Sequence, residues 1–119
     1  MFAQVWERVV SGAYQSVEAR LLNHARFCVK DCAYPGMIKV DMGNVVGRLY
    51  LDVGTGDLAA LDNFEGSQYQ RDTVEVFTND GTSVYAETYL FLPEEQLTEV
   101  IWEPAKFMIE KFLNLYCSL

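Results

Sequence analysis

The sequence predicts an α+β domain: a small mixed β-barrel or strongly curved sheet with helices flanking it. Strand-like patterns fill the middle of the chain, short helical patterns interrupt them, and no strand–helix–strand alternation signals a doubly wound sheet. No repeat, low-complexity tract or linker divides residues 1–119, so a single domain is expected.

Each element has its own signal. Val5, Trp6, Val9 and Val10 recur at helical spacing, and Ser11–Gly12 ends that short amphipathic helix. From Gln15 to Val29 the period becomes two, with Val17, Ala19 and Leu21, then Ala25, Phe27 and Val29, at alternate positions. Tyr34–Pro35–Gly36 is expected to turn, because proline presets φ and glycine accepts a positive one. Met37–Val40 and Asn44–Leu51 read as strands around Met42–Gly43. Asp57 is expected to begin a short helix in which Leu58, Leu61 and Phe64 share a face and Gly66 suits the C-cap. Val74 and Val76 start a hairpin that turns at Asn79–Asp80–Gly81 and returns through Val84, Ala86 and Tyr89. Pro93–Glu94–Glu95 opens a helical turn. Glu103–Pro104 begins a terminal helix with Phe107, Met108, Lys111, Phe112 and Leu115 on one side.

Composition limits the function. Half the residues are hydrophobic and 13% are aromatic, enough apolar surface to offset the entropy of ordering the chain. Nine basic residues against seventeen acidic ones leave a net charge of −8, a field that repels phosphate backbones and anionic membranes. Nucleic acid and membrane partners are therefore not expected. No apolar run approaches the roughly 20 residues that span a bilayer, and Met1–Phe2–Ala3–Gln4 lacks a basic secretory start. With an odd cysteine count (Cys28, Cys32 and Cys117), this points to a reducing, cytoplasmic setting. Cys28 and Cys32 have no second pair to complete a zinc site, and the lone His24 has no second ligand nearby, so no metal is expected.

The most informative segment is Leu58–Arg71. Glu65 closes a short helix just before Gly66, where the negative end of the helix dipole disfavours another negative charge. Flanked by Phe64 and Tyr69, its carboxyl should be pushed upward by desolvation as well, a state suited to shuttling protons. A solvated glutamate on a turn is the alternative.

Several ordered pieces together resemble the gamma-glutamylcyclotransferase-like superfamily, in particular its avirulence-induced-gene-like branch. They are Ala19-Arg20-Leu21, Tyr34-Pro35-Gly36, Val46-Gly47-Arg48-Leu49-Tyr50, Leu61-Asp62-Asn63-Phe64-Glu65-Gly66, Tyr69-Gln70-Arg71 and Ala86-Glu87-Thr88-Tyr89. The likeness runs from about Val5 to Leu92. It implies a small barrel with flanking helices, Glu65 as the acid/base residue, and Tyr69 and Tyr89 lining a concave pocket beside it. It also implies a small-molecule γ-glutamyl substrate, cyclised to 5-oxoproline without metal or cofactor. Arg71 reads as a structural ion-pair residue.

The family's first strand, ending in Tyr-Gly-Ser/Thr-Leu, has no counterpart here; Met1–Trp6 is similar to the stretch immediately after that motif in the family. Two expectations arise from that difference. The open strand edges are satisfied by a second copy in a homodimer, and turnover by this chain is weak or absent. A non-catalytic binding domain that kept the fold is the alternative function.

Overall fold

The computed structural model describes residues 3–32 and 34–102. Helix α1 (Ala3–Val9) leads into two long strands, β1 (Ser16–Val29) and β2 (Pro35–Tyr50). Helix α2 (Thr55–Glu65) is next, then the hairpin β3 (Tyr69–Thr78) and β4 (Ser83–Phe91). A single 3₁₀ turn (Glu94–Gln96) precedes β5 (Leu97–Ile101). The hydrogen-bonded order is β2-β1-β3-β4, with β5 also on β1, and every described pairing is antiparallel. The edge strands β2 and β4 come into contact, so the sheet curls into a half-closed barrel. The α+β reading and the strongly curved sheet are thus what the chain adopts. Among the described residues no helix is long and apolar enough to cross a membrane.

Alternation along the strands builds the interior. Ala19 and Leu21 of β1 and Val74 and Val76 of β3 form one buried cluster, with Met37, Val45 and Leu49 of β2 and Ala86 of β4 packed against it. These are the inward positions of a period-two pattern. The β3–β4 hairpin turns where expected: Gly81 takes φ +84°, its N–H donates to the Thr78 carbonyl, and the Asp80 carboxylate accepts from the Thr82 N–H at 3.0 Å.

Three expectations change. Met37–Val40 and Asn44–Leu51 are one continuous strand, not two. β2 runs through Met42, which takes φ +66°, opposite a register shift in β1 where Asn23 takes φ +59°. This is a bulge, and bulges bend a ribbon without ending it. Gly43 lies so close beneath that a Cβ there would fall onto the His24 carbonyl. The turn before β2 also sits earlier than Tyr34–Pro35–Gly36: Lys30–Asp31 make it, with Asp31 at φ +59° and the Cys32 N–H donating to the Val29 carbonyl at 3.1 Å. Gly36 already lies in β2 and is needed for space, since a Cβ would meet Leu97 and Phe91 at 2.7 Å. Finally, β5 was not expected. It pairs Leu97 with Val29 and Ile101 with Phe27, covering the far half of the β1 edge whose near half meets β3 at Ala19 and Arg20. The helix expected from Glu103–Pro104 lies outside the described residues.

One carboxylate ties the start of α2 to the α1–β1 connection. Asp57 sits in the first turn of α2, but its oxygens turn to the α1–β1 connection. They accept from the Ser11 N–H (2.8 Å) and hydroxyl (3.0 Å), the Gly12 N–H (2.9 Å) and the Tyr14 hydroxyl (2.6 Å). The Tyr14 oxygen in turn accepts the Gly54 N–H, so the tyrosine also stitches the start of α2. Trp6 of α1 stacks on Tyr50 with ring centres 3.7 Å apart, completing the junction.

The Ser11 N–H, the Tyr14 hydroxyl and the Gly12 N–H hold the Asp57 carboxyl well below the usual carboxylate range. A depressed folded-state value stabilises the protein above the unfolded carboxyl value of about 4, and that stabilisation is lost as pH falls below it. Asp57→Asn should therefore lower the thermal midpoint at pH 7 by several degrees. Melting curves across pH should show the gap to wild type shrinking below about pH 4.

Candidate functional site

The site is built where α2 ends and β3 begins. Leu61, 4% exposed, pins the last turns of α2 to the core. The helix stops at Glu65 because Gly66 adopts φ +79° and returns its N–H to the Asp62 carbonyl at 3.1 Å. That stop leaves Glu65 at the seam between helix and sheet, only partly accessible to water. Burial pushes its carboxyl up from the ordinary 4.5 to about 7. A group poised there exchanges a proton readily near neutrality.

Tyr69 and Tyr89 enter from the two strands of the hairpin, in different settings. Tyr69 opens β3; its hydroxyl donates to the Pro35 carbonyl at 2.6 Å, and its ring meets Phe91 edge-on at 5.2 Å. It thereby clamps the start of β2 to the start of β3. Tyr89, on β4, donates its hydroxyl to Asp62 Oδ1 at 2.6 Å. Burial and that bond push its ionisation well above the ordinary phenol range, and the nearby Glu65 charge adds to the effect. Arg71, opposite Tyr89 in the hairpin register, pairs with Asp62 (3.1 Å) and Glu87 (3.3 Å).

Sequence reading singled out Glu65, Tyr69 and Tyr89 but not Asp62. The signal was its i, i+3 spacing from Glu65, which puts both carboxylates on one side of α2. Two neighbouring acids lie apart: Asp57 at the far end of the helix, Asp52 exposed in the turn before it. An open cleft lined by Ser16, Val17, Glu18, Arg48, Thr78, Asn79 and Asp80 contains none of Glu65, Tyr69 or Tyr89. Among the described residues no group of three or more His, Cys, Asp or Glu is arranged to hold a metal ion.

A curled antiparallel sheet with a half-buried carboxylate at a helix end defines a class of small α+β proteins that known relatives make specific. The chain belongs to the family described as gamma-glutamyl cyclotransferase, AIG2-like, whose model matches residues 1–106. Among Arabidopsis thaliana proteins it is 33% identical to Protein AIG2 C over 81 residues, covering 67% of this chain and 49% of that protein. AIG2-like protein D is 28% identical over 78 residues, covering 66% and 51%. The chain thus spans about half the length of the curated relatives it matches. A solution structure from Arabidopsis thaliana superposes with a TM-score of 0.73 at 25% identity, over 99% of this chain and 74% of that one. A human uncharacterized protein shares the fold at a TM-score of 0.57 and 20% identity, over 66% and 53% of the two chains.

The raised carboxyl has a consequence for stability that needs no substrate. An acid whose folded value exceeds its unfolded one binds more protons when folded, so stability falls as pH climbs from about 4.5 to 7 and levels off above. The loss is on the order of 3 kcal/mol for the shift from 4.5 to about 7. Carbon-13 NMR of labelled Glu65 should show a midpoint near 7, and Glu65→Gln should remove that segment of the stability–pH curve.

Proposed function

We propose that this chain is a cofactor-independent cyclotransferase acting on small γ-glutamyl amides or amines, with Glu65 as the acid/base residue. The observation that carries the reading is a carboxyl shifted to about 7 by burial at the end of α2, in a chain of the cyclotransferase family. In the reaction the substrate's α-amino nitrogen attacks its own δ-carbonyl. A new C–N bond closes the five-membered ring of 5-oxoproline, and the original C–N bond to the amine breaks. The amine arrives mostly protonated, so a base must take a proton before attack, and the departing nitrogen needs one. Glu65 can take the first and deliver the second, ending as it began. The extra proton left on the ring nitrogen after attack passes to the released amine, which leaves as an ammonium. Nucleophile and carbonyl already share a molecule, so the protein's remaining task is to fold the substrate into a reactive conformer. In this reading Tyr69 and Tyr89 contact that substrate.

Release of 5-oxoproline from a panel of γ-glutamyl compounds tests the proposal. Glu65→Gln, which keeps the volume but cannot accept the proton, should lower turnover about 10²–10⁴-fold with an unchanged circular-dichroism spectrum. Full turnover by Glu65→Gln would move the base elsewhere. Absence of release from every compound, also by a chain extended with the family's first strand and Tyr-Gly-Ser/Thr-Leu loop, would favour a binding domain on the same fold.

A further inference from the structure

Asp62 has no part in the cyclisation chemistry itself, yet it stands at the centre of a bonded cluster one helical turn before Glu65. Arg71 and Tyr89 are directly paired across β3 and β4, so their side chains leave the same face of the hairpin. Both reach one oxygen: the Tyr89 hydroxyl lies 2.6 Å and Arg71 Nε 3.1 Å from Asp62 Oδ1. The far end of Arg71 is held by Glu87 at 3.3 Å, and Glu87 accepts the Thr73 hydroxyl at 2.7 Å. The Arg71 and Asp62 side chains are 32% and 42% exposed, so this ion pair adds little to stability. Its effect is to fix the direction of a carboxylate.

That direction decides what Tyr89 can do. An ionised carboxylate only accepts hydrogen bonds, so the phenol proton lies on the bond to Asp62. A phenol has one proton. With it committed, the Tyr89 oxygen offers neighbours lone pairs and no donor. Near Glu65 it therefore suits an N–H group and disfavours a carbonyl or carboxylate oxygen. In a γ-glutamyl unit the group with N–H bonds to offer, apart from the scissile amide, is the α-amino group, the one that must be held and deprotonated.

Building on the cyclotransferase reading, we propose that Asp62 is a positioning residue that fixes Tyr89 as the hydrogen-bond acceptor for the substrate's α-amino group. The test uses the full chain with Asp62→Ala, Tyr89→Phe and the double variant. The probes are a γ-glutamyl dipeptide and its glutaryl analogue, which lacks only the amino group, with affinities measured by NMR titration. Wild type should prefer the dipeptide by about five- to tenfold, the worth of one hydrogen bond, and each single variant should lose that preference. In turnover the single variants should raise KM by a similar factor and change kcat less. The double variant should be no worse than Tyr89→Phe, because Asp62 acts through Tyr89. Asp62→Asn, whose amide oxygen can still accept the phenol proton, should retain part of the preference. It also carries the comparison if Asp62→Ala does not fold.

An Asp62→Ala variant that keeps the preference, a wild type that has none, or additive losses in the double variant would each overturn the proposal. Binding with the amino preference but no 5-oxoproline release, both by this chain and by one extended with the family's first strand and loop, would instead refute the cyclotransferase reading and leave the Asp62–Tyr89 assignment standing.

Discussion

A long two-stranded ribbon can meet two different strands along one edge only if it bends, and β1–β2 bends at a single matched distortion. Asn23 and Met42 both take positive φ there, at 59° and 66°, on facing strands. Positive φ costs a non-glycine residue about 1–2 kcal/mol, so the surrounding contacts must hold both in place. Gly43 admits the close approach to His24, and the Asn23 side-chain oxygen accepts the Met42 N–H at 3.2 Å, bridging the two kinks. Before the bend β1 pairs with β3; after it, β1 pairs with β5.

The candidate site inherits its geometry from the curled sheet. The first half of β2 lies toward the base of β3, where the Tyr69 hydroxyl secures it through the Pro35 carbonyl. Helix α2 crosses from the end of β2 to the start of β3 and is held at both ends. Asp57 locks its first turn to the α1–β1 connection, and Asp62 ties its last turns to Tyr89 and Arg71. Glu65 comes immediately after this second anchor. A carboxylate on a mobile turn would stay solvated and keep its ordinary acidity; one on a helix end fixed against a sheet is desolvated and raised.

What was legible in the sequence was local. The Asn79–Asp80–Gly81 turn, the helix ending at Gly66 and the placement of Glu65 depend on residues within a few positions of one another, and these stand as read. The continuity of β2 was not legible, because Met42–Gly43 looks like a strand break until β1 supplies a matching kink across the ribbon. β5 was missed for a related reason: Leu97–Ile101 is short and its Val100 and Ile101 are 62% and 55% exposed, so neither length nor alternation marks it. Its identity as a strand comes from pairing with β1 about seventy residues earlier in the chain. The Asp62–Tyr89 bond spans 27 residues and shows in no motif. Family resemblance supplied the proposed role of Glu65, while the apolar neighbours gave the physical reason to expect a carboxyl raised by burial.

In the proposed reading, chemistry gathers around Glu65 at the α2–β3 seam, away from the open cleft by Arg48 and Thr78. Amide chemical-shift mapping of the full chain during titration with 5-oxoproline tests it most directly. The shifts should cluster at Glu65, Gly66, Tyr69 and Tyr89, and change with pH around a midpoint near 7, the value to which burial pushes the Glu65 carboxyl. Shifts confined to Ser16, Arg48 and Thr78, or no shifts at millimolar ligand, would contradict it.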